Sequence, residues 1–168
     1  MGAGNKAADA VILEIEVDDT AWKELPDPET LLRRAARATE TALGKDLSET
    51  VLTISLATDD EVAQLNRHWR NKTGPTNVLS FPAAKNMPLP PGEPRPLGDI
   101  MLAAGVVRRE ATQQNKSLEH HLVHLAVHGI LHIMDYDHIN EARATEMESL
   151  EVEILNALGI ANPYASNV

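Results

Sequence analysis

Three histidines in the last third of the chain have the spacing of metal ligands. His128 and His132 are four residues apart, so on a helix they would share one face with their β-carbons about 5–6 Å apart. One metal ion can close that gap, because each imidazole nitrogen binds about 2.0–2.1 Å from it. On a continuing helix, His138 would lie on another face and about 9 Å further along the axis. The spacing therefore predicts that the helix breaks at 135–137 and that the chain folds back with His138.

Three protein ligands leave a fourth position open, which is typical of a catalytic metal site. Histidines recur every four residues from 120 to 132, so His124 and His128 form a rival pair. That register leaves His132, on the same face and nearer the break, without a role, and we do not favour it. His124 is interpreted as a supporting or groove residue, and His120 and His121 as surface residues at the helix start. The alternative without a metal is a set of hydrogen-bonded core histidines.

The composition restricts the class of protein. With 168 residues, 43% hydrophobic and 24% charged, the chain is expected to form one soluble globular domain over 1–168. There is no cysteine, so any metal must be held by histidine and carboxylate. Neither a signal-like segment nor a long apolar run is present, which predicts a cytoplasmic protein without a membrane partner.

The charge balance limits how nucleic acid could bind. A net charge of −10 argues against broad, non-specific binding but leaves room for a local basic surface, and residues 67–72 are basic. Aromatic residues make up only 3% of the chain, which argues against a sheet of base-stacking aromatics. Phosphate contacts are therefore expected to supply most of any RNA binding.

Periodicity and capping signals predict four strands and five helices. The strands are expected at 11–17, 51–57, 77–81 and 97–103. The helices are expected to start at Asp27-Pro28, Thr58, about Val106, Ser117 and Asn140, and to end near Gly44, Lys72, Gln114, Met134 and Gly159. Strands and helices mix without regular alternation, so the fold class is α+β with a small mixed four-stranded sheet and a zincin-like metal helix.

Three further expectations concern individual segments. Residues 1–10 are expected to be frayed, and the proline-rich segment 82–96 is expected to be an exposed loop. On the helix that Thr58 starts, Val62, Leu65 and Trp69 are predicted to lie on one face.

The histidine spacing matches the His-Glu-x-x-His-x-x-Gly-x-x-His motif of metzincin peptidases. Gly129 occupies the position of the glutamate that serves those enzymes as general base, so a peptidase would lack its proton acceptor. Asp135 occupies the glycine position, and aspartate tolerates a left-handed turn better than most residues. The turn is retained, and a peptidase is disfavoured.

Three blocks together resemble the YbeY family of bacterial endoribonucleases and rRNA maturation factors. They are His128-Gly129-x-Leu131-His132-x-x-x-Tyr136-Asp137-His138, then Arg70 followed by Pro75–Pro82, and Leu97–Ile100. The resemblance spans roughly residues 50 to 140. Asp135, where glycine is common, and Asn77, where aspartate is common, depart from the usual pattern.

The resemblance implies a zinc-dependent, single-strand-specific endoribonuclease. It implies a role in ribosomal RNA processing, including maturation of the 3′ end of small-subunit rRNA, and in ribosome quality control. His128, His132 and His138 would hold one Zn2+, and Arg70 would hold a phosphate. The partners would be single-stranded RNA or rRNA and the ribosome or its small subunit.

Several alternatives stay open from sequence. Three histidines also accept nickel, copper or cobalt. Arg70 could merely stabilise a helix C-terminus, and Asp137 could either orient a ligand imidazole or hold the turn. No general base is evident, which leaves a water activated by the metal as the nucleophile. At the level of function, the alternatives are a ribosome-associated accessory factor with a structural metal and a metallopeptidase.

Overall fold

A computed structural model of the chain describes residues 10–165. Their strands are β1 (Ile12–Val17), β2 (Thr50–Ala57), β3 (Val78–Pro82) and β4 (Arg95–Ala103). Their helices are α1 (Pro28–Leu43), α2 (Asp59–Arg70), α3 (Ala104–Gln113), α4 (Leu118–Ile133) and α5 (Glu141–Ala157). The predicted α+β class with a four-stranded mixed sheet and five helices is confirmed. The expected fraying of residues 1–10 falls almost wholly outside the described residues.

The sheet has the order β1-β2-β4-β3. β1, β2 and β4 are parallel, and β3 runs antiparallel to β4 at the edge. Alternate residues of the strands face two different apolar clusters, as the period of two requires. Leu52, Ile54 and Ile100 face the larger cluster, which also contains residues of α1, α4 and α5. α2 covers the opposite face, where Val62 packs in a smaller cluster with Leu79.

The helix that carries the histidines is central. Ten of the sixteen residues of α4 are buried, since α4 lies among the sheet, α1, α3 and α5. The Ser117 side chain caps α4 by accepting from the His120 amide at 3.0 Å, as predicted. The capping box of Thr58 and Glu61 and the Asp27 cap are also present. Within residues 10–165, no helix is long and apolar enough to cross a membrane.

The structure decides the burial of Trp69 and shows that the prediction for His121 is wrong. Trp69 is 66% exposed, because α2 ends one residue later, at Arg70, with Asn71 in a left-handed C-cap (φ 54°). The helix thus stops before Gly74, and its last turn has no apolar cover. His121, predicted at the surface, is 2% exposed because it faces α3, where its Nε2 lies 2.8 Å from Glu110 Oε1. His120 is exposed, as predicted.

Candidate metal centre

The chain breaks where the histidine spacing requires it to. α4 ends at Ile133, and Asp135 adopts the left-handed conformation with φ 76°. The Tyr136 amide donates to Leu131 O at 3.0 Å and the Asp135 amide to His132 O at 3.1 Å, the two hydrogen bonds of a Schellman ending. Asp135 therefore performs the turn in place of glycine, and the predicted break is confirmed.

Side chains distant in sequence hold the turn. Arg143 of α5 donates from Nη2 to Asp135 O at 2.6 Å and from Nε to Asp137 Oδ1 at 2.9 Å. Asp137 Oδ1 also accepts from the Ile139 amide at 3.1 Å. The Ile139 amide, and then Arg143, lower the pKa of Asp137. From the loop between β3 and β4, Lys85 forms an ion pair with Asp135. Of its two candidate roles, Asp137 has that of holding the turn.

The three predicted ligands lie near one another at this turn. The rings of His128 and His138 are nearly perpendicular, with centroids 5.8 Å apart. Two imidazoles on one tetrahedral ion would have centroids about 5 Å apart. Burial, and then the proximity of His128 and His138, lower the pKa of His132, which keeps that imidazole neutral, the form that binds metals. Within residues 10–165, no group of three His, Cys, Asp or Glu side chains is already arranged to hold a metal ion.

A buried carboxylate lies behind His128. Glu151 of α5 is 1% exposed. It lies 2.9 Å from His128 Nδ1 and 3.2 Å from His124 Nε2, and it accepts from the Tyr164 hydroxyl at 2.6 Å. Burial alone raises the pKa of Glu151, but the three hydrogen bonds outweigh it and lower the pKa to about 2. Glu151 is therefore ionised and acts only as an acceptor.

The ionised carboxylate determines the tautomer of His128. An acceptor at Nδ1 requires that nitrogen to carry the proton, so Nε2 of the neutral imidazole keeps its lone pair. A carboxylate on the far nitrogen is the usual support of a metal-binding histidine, since it orients the ring and raises its basicity. His124 donates to the same carboxylate, which fits the supporting role predicted for it.

The donor set fits a transition metal ion of borderline softness as a Lewis acid. Imidazole nitrogens suit zinc, copper, nickel and iron, and within the described residues no cysteine competes. His132 Nδ1 is buried without a hydrogen-bond partner in the described part of the chain. The Nδ1 atoms of His121 and His124 are likewise buried without a partner among the described residues, so this feature alone does not distinguish a metal ligand. Of the three predicted ligands, His128 and His132 lie on one helix and His138 lies beyond the turn.

Gly129 faces the sheet and has no room for a longer side chain. A β-carbon there would lie 3.1 Å from Ile100 Cδ1 and 3.2 Å from Ser80 Oγ. Ser80 Oγ also donates to Gly129 O at 3.4 Å. The position that holds the general base in metzincins is therefore a close contact between α4 and the sheet, with no room for a glutamate side chain.

Gly129→Glu should destabilise the fold and confer no peptidase activity. A glutamate there would bury a charge without a partner, at a cost of about 3 kcal/mol or more. Gly129→Ala is the control: the gain of about 1 kcal/mol in helix propensity offsets the tight contacts. Urea unfolding and peptide turnover measure the two effects. A folded glutamate variant that cleaves peptides would contradict this account.

Comparison with known proteins supports the family that the motifs suggest. The family model described as Endoribonuclease YbeY matches residues 15–159. A protein named endoribonuclease YbeY from Azorhizobium caulinodans is 46% identical over 155 residues, which cover 91% of this chain and 96% of that protein. A protein of the same name from Bradyrhizobium diazoefficiens is 44% identical over 158 residues, which cover 90% of this chain and 84% of that protein. The chain belongs to the YbeY family.

The fold is also that of a solved structure. The solution structure of a Thermotoga maritima protein matches with a TM-score of 0.56 at 20% identity, and the match covers 94% of this chain and 97% of that one. At that identity the likeness concerns the fold alone.

Arg70, the predicted phosphate ligand of this YbeY chain, is the last residue of α2 and is exposed. It makes no hydrogen bond or ion pair with any described residue, so its guanidinium has no protein partner in residues 10–165. A guanidinium with no carboxylate partner keeps all five donors for a phosphate.

Asn77, a departure from the usual YbeY pattern, has a local explanation. Its Nδ2 donates to Glu110 at 3.0 Å and 3.3 Å, and its Oδ1 accepts from the Val78 amide at 2.7 Å. An aspartate would face Glu110 with a second negative charge, whereas the amide donates to it. Asn77 thus belongs to a chain of contacts that continues through Glu110 to His121.

Sequence reasoning missed the residues that support the YbeY histidines. Glu151 follows Met147 by four residues and precedes Ile154 by three, so it sits in the buried stripe of α5. A glutamate in an apolar stripe is rarely buried without a partner, and that was the available signal. Tyr164, Arg143 and Lys85 carried no such signal, because their contacts are tertiary.

Proposed function

We propose that the protein is a zinc-dependent endoribonuclease that cleaves single-stranded ribosomal RNA. Its action would include maturation of the 3′ end of small-subunit rRNA and ribosome quality control, with the ribosome or its small subunit as partner and the cytoplasm as location. The activity rests on membership of the YbeY family, whose model carries the endoribonuclease name.

The proposed metal dependence rests on the hydrogen bond that Glu151 accepts from His128. A buried, ionised carboxylate holds its Nδ1–H, and His132 and His138 lie beside it. This arrangement supports one ion bound by His128, His132 and His138. Bound there, zinc would polarise a phosphoryl oxygen and lower the pKa of water towards 7.

The chain's own residues supply the rest of the chemistry. Glu151 keeps the His128 ring in one tautomer and orientation, through a hydrogen bond of 2.9 Å. Arg143 and Lys85 hold the turn that presents His138. Arg70 would bind the phosphate next to the scissile bond and stabilise the negative charge that develops on it. A peptidase is disfavoured, since the space for its glutamate is occupied by Ile100 and Ser80.

The test is cleavage of a single-stranded RNA. Zinc-loaded protein should cut it, whereas a chelated sample and His128→Ala should not. Equal cleavage by all three would indicate a contaminating nuclease and refute the proposal. Chelation that lowers the melting temperature, with no cleavage under any metal, would instead support the accessory factor with a structural metal.

Glu151→Gln should weaken zinc binding by about 10- to 100-fold, the usual effect of losing the partner of a ligand histidine. Glutamine keeps the shape but loses the charge that accepts from His128. Competition with a chromophoric chelator measures the affinity. Glu153→Gln, an exposed residue on the same helix, is the matched control for charge. Equal affinities of the two variants would contradict a positioning role for Glu151.

Tyr164→Phe probes the same carboxylate from the other side. It removes one of the three hydrogen bonds that Glu151 accepts and leaves His128 in contact. Its effect on zinc affinity should therefore have the same sign as that of Glu151→Gln and be smaller.

A further inference from the structure

The two tryptophans of the chain have opposite environments. Trp22 is 2% exposed, and its Nε1 donates to Ala57 O at 2.9 Å. Trp69 is 66% exposed, and its indole nitrogen has no hydrogen-bond partner among the described residues. Its ring contacts that of His68, at a centroid distance of 4.8 Å and nearly perpendicular. At this exposure most of the indole surface is open to contact by a ligand.

Trp69 lies in a long stretch without acidic residues. Residues 62 to 92 contain no aspartate or glutamate, although the chain has 25 acidic residues and a net charge of −10. The cations of this acid-free stretch are Arg67, Arg70, Lys72 and Lys85, and the first three are exposed within three residues of Trp69. The charge of this segment is opposite in sign to that of the whole protein and complementary to a polyanion, and an acid beside it on the same face is Asp99 of β4, which pairs with Phe81.

The acid-free stretch reaches the histidine helix at two points. Ser80 Oγ donates to Gly129 O, directly after His128. Lys85 pairs with Asp135, at the turn between His132 and His138. A strand segment and a loop of the stretch thus border the histidine site.

The direction of α2 places Trp69 near the same end of the sheet. Asp59, at the start of α2, accepts from the Gly105 amide at 2.8 Å, just beyond the end of β4. Because Val62 and Leu65 then pack with Ala103, Met101 and Phe81, we infer that α2 runs back along β4, and the ten residues to Trp69 span about 15 Å. The five residues of β4 from Ala103 back to Gly98 span about 17 Å. Trp69 therefore lies level with Gly98 but on the face of the sheet opposite α4, so an RNA strand that contacts both Trp69 and the histidine site passes around the edge strand β3.

We propose that Trp69 is a stacking platform for a base of single-stranded RNA that approaches the histidine site. The inference rests on the proposed function and extends it. Exposed arginines and Lys72 bind the phosphates while the indole stacks on a base, the combination that single-strand-binding surfaces use. In a duplex the faces of the bases are already stacked, so the platform favours single strands.

The platform also refines the expectation, drawn from the low aromatic content, that phosphate contacts supply most of the RNA binding. A chain with 3% aromatic residues cannot build a stacking sheet, but a single exposed indole is sufficient for one base. Phosphate contacts then supply most of the affinity, and Trp69 supplies the preference for an unpaired base.

The test measures binding of a short oligoadenylate and of the same chain with abasic residues to metal-free protein in chelator. The wild type should bind the base-bearing chain about tenfold more tightly, since stacking on an aromatic residue contributes about 1–3 kcal/mol per base. Trp69→Ala should bind both chains equally, and Trp69→Phe should keep most of the preference. Ile12→Ala is the control, because it changes an exposed apolar residue on β1, at the opposite edge of the sheet.

Tryptophan emission gives an independent readout. RNA should quench the wild type through Trp69, and Trp69→Phe should show no quenching, because Trp22 is buried. An unchanged melting temperature of the Trp69 variants establishes that they are folded.

Two results would overturn the platform, and they differ in what else fails. If zinc-loaded wild type binds and cleaves RNA while Trp69→Ala keeps the full preference for bases, the platform is wrong and the indole is assigned to a protein partner. If wild type neither binds nor cleaves RNA, the proposed function fails together with the platform.

Discussion

His132→Ala should lose zinc and cleave single-stranded RNA at least about 10³-fold more slowly than wild type. A catalytic metal contributes several kcal/mol to the transition state, and each 1.36 kcal/mol is a factor of ten. His128→Ala and His138→Ala should behave similarly, because each removes one of three ligands. Zinc content per chain and the cleavage rate of a labelled single strand are the two measurements.

His124→Ala is the control that separates the two possible registers. His124 lies one turn before His128 and shares the carboxylate of Glu151, but it is not a proposed ligand. It should therefore keep zinc and most of the activity. Loss of zinc in His124→Ala, with retention in His132→Ala, would establish the rival pair of His124 and His128 and contradict the proposed site.

Arg70→Ala should lower cleavage by about 10²- to 10³-fold and leave zinc content unchanged. Removing one donor that stabilises developing charge has this effect in other enzymes, and Arg70 has no partner among residues 10–165 that would compensate for the change. Arg70→Lys should recover only part of the rate, because an ammonium group lacks the bidentate fork. Rates are measured at saturating RNA, so that a lower affinity for RNA is not mistaken for a slower cleavage step.

Arg33→Ala controls for the loss of a positive charge. Arg33 lies on α1, is more than half exposed and reaches Glu29 at only 4.0 Å. It should have no effect on cleavage. Equal rates for Arg33→Ala and Arg70→Ala would show that Arg70 is an ordinary surface residue that stabilises the end of α2.

Local signals predicted the elements well because they depend on neighbouring residues. Asp27, Thr58, Ser117 and Asn140 each cap the predicted helix, since a cap needs only the residues of the first turn. Strand β4 begins two residues before its predicted start at Leu97. That start lies at an irregularity, where Val51 pairs with Pro96 and Leu52 with Gly98, and a shift in pairing leaves no local signal.

Burial was harder to predict, because it depends on what covers a face. Trp69 continues the apolar period of Val62 and Leu65, yet the helix extends past its cover and leaves the indole in solvent. His121 follows a surface cap in sequence, yet α3 buries it against Glu110. The helical period specifies which residues share a face and not where a neighbouring element ends.

The sequence by itself determined the pair of histidines, the break at Asp135 and the exclusion of a peptidase glutamate at Gly129. Each depends on helix geometry or turn chemistry within a few residues. Only the tertiary structure decided which residues support that site. They are Glu151 and Tyr164 behind His128, and Arg143 and Lys85 at the turn. Glu151 lies 23 residues from His128, and Lys85 lies 50 residues from Asp135. Contacts over such separations depend on how the helices pack on the sheet, and no local pattern encodes that.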